Sequence, residues 1–122
     1  MNKKAQQLIR LMFESRQMAH KGHFMTTVDA RHRALGEFYD AIGGLADRFT
    51  EVCIAKFGKP DDMDMSVSDE NTDNIAELLR RHMDWIETNR SLAVGSYSPI
   101  QAIIDDIIEQ YLRTIYKLEN LL

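Results

Sequence analysis

The 122-residue chain holds one cysteine, two prolines and no apolar run long enough to span a bilayer, and each shortage removes a class of protein. Cys53 cannot close a disulfide within the chain, so a disulfide-stapled scaffold is excluded and a reducing, cytoplasm-like compartment is expected. Its flanks, Val52 and Ile54, read as part of a buried helical stripe rather than the surroundings of an activated thiol. The opening "MNKKAQQLIRLMF" lacks the continuous apolar centre of a signal peptide, which again points to the cytoplasm and away from membranes. Basic charge is also short: 15 Lys and Arg stand against 19 Asp and Glu, for a formal net charge of -4. Such a balance gives no general pull toward phosphate backbones or anionic lipid, and only Lys3 and Lys4 precede the first periodic segment, so DNA binding is not expected.

What is present is helical periodicity. With 44% hydrophobic and 28% charged residues, the composition fits one domain over residues 1–122. Ala5, Leu8, Met12 and Ala19, beside Ile9 and Phe13, define a first helix over 3–24. A second and longer run carries Leu35, Phe38, Ile42, Leu45, Phe49, Val52 and Phe57, and "GKPDD" stops it. Gly43-Gly44 interrupts that run at a cost of roughly 1 kcal/mol per glycine relative to alanine, which predicts a close approach of something to the backbone there. A third helix is expected over 72–89, with Ile75, Leu78, Leu79, His82, Met83 and Ile86 on its apolar side, followed by a break at "SLAVGSY". The fourth should begin with Ser98 as N-cap, Pro99 at the first position and Gln101 closing a capping box. Its stripe runs through Ile100, Ile104, Ile107, Tyr111, Ile115, Leu118 and Leu122.

Residues 58–71 show no helical period, and the segment exceeds the roughly 2 to 8 residues usual between neighbouring antiparallel helices. Its extended reach, at about 3.3 Å per residue, exceeds the length of the second helix, so it can cross the whole bundle. Four helices with one long middle connection make the expected fold class all-α, a ferritin-like four-helix bundle with a long crossover between the second and third helices. Within that connection Met63, Met65 and Val67 alternate like a strand laid on a surface, while Val67 stands where a calcium-binding loop needs glycine.

Three of the four histidines fall within "HKGHFMTTVDARHRALGEFYD", residues 20–40. Imidazole nitrogen and carboxylate oxygen together suit borderline and hard metals, and Asp47 and Glu51 stand four apart on the same broad side of the second helix as His32. His32 and Asp47 are nevertheless about 22 Å apart at 1.5 Å per residue, too far for one ion. Two copies of that helix, antiparallel about a twofold axis near residues 40–42, bring them together, so the chain is expected to be a homo-oligomer, at least a dimer. Apolar residues on more than one side of the second helix favour the same expectation.

The histidine, aromatic, turn, second histidine, then aspartate and glutamate fifteen and nineteen residues on resemble the intersubunit ferroxidase motif of Dps proteins, the mini-ferritins. "HRALGEFYDAIGGLADRFTE" carries the second part without a gap, and "HFMTTVDARHRALGEFYD" is similar to small Dps-like proteins encoded by bacteriophages. The resemblance implies a non-haem iron site of His23, His32, Asp47 and Glu51 that binds and oxidises Fe(II) with peroxide or oxygen. His20 is the alternative to His23: it keeps the usual separation from His32, whereas His23 is followed by Phe24 as in a version with a shortened turn. No Lys-rich tail is present, the chain is short for the family, and no Glu-x-x-His pair occurs, so neither DNA protection, a twelve-subunit shell nor an intrachain di-iron centre is implied. The competing reading is a non-enzymatic helical assembly protein, a phage structural or accessory component, in which the histidines cap helices and Asp47 and Glu51 pair with Arg48 or Lys56. His82 reads as a hydrogen-bonded core residue.

Overall fold

A computed structural model describes residues 1–121; Leu122, assigned above to the fourth stripe, lies outside them. Four helices are present and no strand among these residues: α1 (Lys3–Met25), α2 (Asp29–Phe57), α3 (Ile75–Val94) and α4 (Ser98–Asn120). The expected apolar stripes turn inward, except that Phe57, at the end of the second, is exposed. Leu8, Met12, Leu35, Phe38, Ile42, Phe49, Leu79, Ile86, Ile104, Ile107 and Tyr111 are all fully buried, in one contiguous core. Burying a side chain of this size stabilises by about 1.5–3 kcal/mol, so the four stripes together dominate the fold. The helices pack as a square: α1 against α2 and α3, α4 against α2 and α3, leaving α1 and α4 on one diagonal.

Helix ends follow local chemistry. Asn2 caps α1 by accepting from the Ala5 amide at 2.9 Å, and its side-chain amide donates to the Leu92 carbonyl at the far end of α3. Gly58, with φ of +88°, and Gly95, with φ of +63°, end α2 and α3 in backbone conformations that L side chains seldom adopt.

Three helix boundaries differ from the sequence expectation. The third helix starts at Ile75, where Asn74 accepts from the Glu77 amide, and continues through "SLAV" because Ala93 and Val94 are buried. Tertiary burial thus outweighs the break that the serine and glycine implied. The N-cap of α4 is Tyr97, with Ser98 already helical. Gln101 closes no capping box; its amide donates to the carbonyls of Arg90 and Gly95 and its oxygen accepts from Arg90 Nε, stapling α4 to the end of α3.

The segment 58–74 runs alongside α1 in the same direction. Asp64 lies by Arg10, the Ser68 amide donates to Glu14 at 2.8 Å, Lys21 pairs with Asp69 at 2.9 Å, and Arg31 donates to the Asp73 carbonyl. The alternating Met63, Met65 and Val67 form no strand; Met63 packs on the core while Met65 is exposed. An Asx turn explains the local shape, the Asp64 carboxylate accepting from the Ser66 amide; the Ser66 hydroxyl and then this amide hold its pKa below the usual range.

Candidate metal centre

The turn Thr26–Val28 folds α2 back on α1 and brings His23 against His32. Their rings stack with centroids 3.7 Å apart and planes 19° off parallel. His23 Nδ1 lies 2.6 Å from the His32 carbonyl, and His32 Nδ1 lies 2.8 Å from the His23 carbonyl. A carbonyl oxygen only accepts, so both Nδ1 atoms carry the proton and both Nε2 atoms keep a free lone pair in the neutral ring. That is how a ligating histidine is usually oriented, with its other nitrogen donating to a carbonyl or carboxylate.

The stack also limits what the pair can do alone. An imidazole-bound ion sits close to the ring plane at about 2.1 Å from nitrogen. Two nearly parallel rings 3.7 Å apart cannot both place one ion in plane, so each offers a separate donor.

Gly36, a position that the sequence reading passed over, makes the stack possible. A Cβ built there would lie 2.9 Å from His23 Cε1 and 3.0 Å from its Nδ1. The sequence signal was a glycine one turn after His32 in a helix that otherwise avoids glycine near that end. His20 is placed differently: its ring stacks on Tyr39 at 3.8 Å and lies 4.4 Å from Phe24, with His23 at 6.3 Å.

Asp47 and Glu51 are exposed on α2 and neither makes an ion pair within the chain among the described residues. The cations considered as their partners are engaged elsewhere. Arg48 bonds Asp106 of α4 at 3.1 Å, and Lys56 lies over the Tyr97 ring at 4.3 Å. No group of three or more metal-ligating side chains assembles among the described residues of one chain, as the separation along α2 requires.

The close approach expected at Gly43-Gly44 comes from within the chain. Arg16 of α1 lies over Gly43, with Nε 3.0 Å from where a Cβ would be, while a Cβ at Gly44 would meet nothing within 4 Å. Arg16 also bonds the Tyr39 hydroxyl at 2.9 Å. Leu45 and Val52, which supplied apolar character on a second side of α2, pack against the core of the same chain. They are therefore accounted for without a partner.

A second polar group lies in the bundle interior. Tyr111 donates to Ser15 Oγ at 2.6 Å, which leaves the Ser15 hydrogen for His82 Nδ1, also at 2.6 Å. His82 Nε2 then carries its proton toward Glu14 at 3.4 Å. Burial pushes the His82 pKa below its ordinary value, with the Glu14 carboxylate opposing, and pushes that of Tyr111 up. Ser15 is wholly enclosed and reaches no substrate, so the network is structural, as expected for His82.

Residues 23–118 match a family described as a family of unknown function (DUF5856). The chain belongs to that family. Among curated proteins and among solved structures nothing matches. The part of this DUF5856 chain within the match begins at His23 and includes His32, Gly36, Asp47 and Glu51, together with the whole of α2, α3 and the segment between them. No helix among the described residues is long and apolar enough to cross a membrane.

Proposed function

We propose that this DUF5856 protein is a Dps-like, ferritin-like bundle whose metal site forms between two chains and takes Fe(II) as substrate. The observation that carries the reading is the reciprocal lock of His23 and His32, each Nδ1 donating to the other residue's carbonyl and each Nε2 left free. A locked tautomer is what a ligand needs and what a merely solvated histidine does not. Asp47 and Glu51 of a second chain supply the hard oxygen donors, which favour Fe(III) and so make loss of an electron from Fe(II) easier. Peroxide or oxygen is the acceptor of those electrons. The path of segment 58–74 along α1 supports a ferritin-like crossover, since it lets α3 begin beside the far end of α1.

The test is a mixing experiment with elemental analysis. A His32→Ala chain and an Asp47→Ala/Glu51→Ala chain should each bind iron poorly alone. In a heterodimer one site collects both defects and the other inherits intact His32, Asp47 and Glu51, so co-refolding should restore about half a site per chain in each heterodimer, or roughly a quarter of a site per chain over an equal mixture that pairs at random. Wild type that binds iron beside mixtures that recover none would refute the intersubunit assignment. Wild type that binds none would leave a helical assembly protein.

A further inference from the structure

The outward strip of α2 is made of Asp29, Arg33, Asp40, Gly44, Asp47 and Glu51, all exposed. Between Val28 and Phe57, at its two ends, no large apolar side chain is exposed. Arg33 is taken by Asp29 at 2.6 Å, while Glu37, to one side of the strip, is taken by Lys117 and Arg113 of α4. What remains on the strip is three carboxylates, Asp40, Asp47 and Glu51, none of them in an ion pair within the chain among the described residues. A surface of this kind has nothing to gain from meeting its own copy by hydrophobic burial. Antiparallel pairing that sets His32 opposite Glu51 also brings the two Asp40 side chains to within about a helical turn of each other along the axis. Like charges so placed oppose association.

We propose that divalent metal gates the pairing of two chains: the metal-free protein stays apart, and an ion held by His23 or His32 of one chain and Asp47 and Glu51 of the other closes the dimer. This rests on the intersubunit reading above and adds its regulation. The occupant of the strip is a second copy. The same α2 carries free imidazole nitrogen toward one end and unpaired carboxylate toward the other, and only antiparallel self-pairing matches the two. Because the coupling is reciprocal, metal tightens the dimer and the dimer tightens the metal, by a factor on the order of 10 to 100 for each site. Assembly then follows the supply of metal, and the reactive site exists only while there is metal to fill it.

Sedimentation velocity on the full chain, in EDTA and in stoichiometric Zn(II) as a redox-inert probe, with anaerobic Fe(II) as a second probe, tests this. The expected result is monomer at micromolar concentration in EDTA and dimer with metal, the dissociation constant falling at least about tenfold. Asp47→Asn/Glu51→Gln should abolish the response to metal. Asp40→Asn, which removes charge and no ligand, should strengthen association in EDTA, as should added salt, since screening weakens repulsion between like charges. A dimer equally tight in EDTA that still binds metal would overturn the gating and leave the composite site standing. Metal bound by a chain that stays monomeric would overturn both, as would no binding at all. A response that survives in the Asp47→Asn/Glu51→Gln chain would show that the ion bridges other groups, and would also overturn the gating.

Discussion

Ser15→Ala is the most informative single change in the bundle interior. Ser15 is the hub between Tyr111 and His82, accepting from one at 2.6 Å and donating to the other at 2.6 Å. Alanine removes both roles and leaves a buried phenol O–H without an acceptor and a buried imidazole nitrogen without a donor. Each orphan costs roughly 1–3 kcal/mol, so the expected loss is about 2–6 kcal/mol. For a chain of this size that corresponds to a fall in Tm of roughly 8–24 °C. Tyr111→Phe should cost only about 1 kcal/mol, because it deletes the donor and leaves Ser15 bonded to His82. The double variant Ser15→Ala/Tyr111→Phe then has one orphan fewer than Ser15→Ala alone, and should lose less than the two single losses added, by at least about 1 kcal/mol. Chemical denaturation of the four proteins in EDTA measures the cycle. A Ser15→Ala chain within 0.5 kcal/mol of wild type, or additive losses within roughly the same margin, would refute the hydrogen-bond accounting.

Three further outcomes follow from the same geometry. Since burial lowers the pKa of folded His82 while an unfolded histidine titrates near 6.5, unfolding takes up a proton below that value. Stability should therefore fall as pH drops from about 6.5 toward the folded pKa, by at most ~1.4 kcal/mol per pH unit, and His82→Gln should flatten that part of a denaturation-against-pH curve. Gly36→Ala should expel the His23 ring, read as loss of the Nδ1–H tautomer in imidazole nitrogen shifts of metal-free protein, whereas Gly44→Ala, with open space around its Cβ, should stabilise the helix by up to about 1 kcal/mol. Cys53, wholly buried with its pKa pushed up to about 11, should resist thiol reagents in the native state and react only on unfolding, as followed by absorbance of a released chromophore.

The fold was legible wherever burial follows a helical period. Leu78, Leu79, His82, Met83 and Ile86 were assigned to one side of the third helix and all five are buried. The failures lie where side chains act on backbone. Gln101 has the spacing of a capping box but staples two helices, because the carbonyls of Arg90 and Gly95, distant in sequence, lie within its reach. Gly43 read as a place of close approach, but what approaches, Arg16 of the same chain, is a tertiary contact with no local signature. At the candidate site, the histidine spacing was visible, and the structure adds that His23 and not His20 stacks on His32. Gly36 stood out in the sequence only as a glycine one turn after His32, and what it makes room for depends on the rotamer of a side chain thirteen residues earlier. The Ser15 network was half visible, with His82 foreseen as bonded and its partners on two other helices unforeseeable from period alone.

The bond from Tyr111 to Ser15 joins the two helices that do not otherwise line a common side of the bundle. Four rods touching only along the sides of a square can lean into a rhombus without stretching any side. A strut across the diagonal forbids that shear, and here the strut is a single hydroxyl pair held at 2.6 Å. Removing it, as Tyr111→Phe does, should leave every side intact, the α1–α2 side with its stacked His23 and His32 included, and still loosen the angles at which the sides meet. A phenol deep in the core thus bears on the cross-section of the whole bundle.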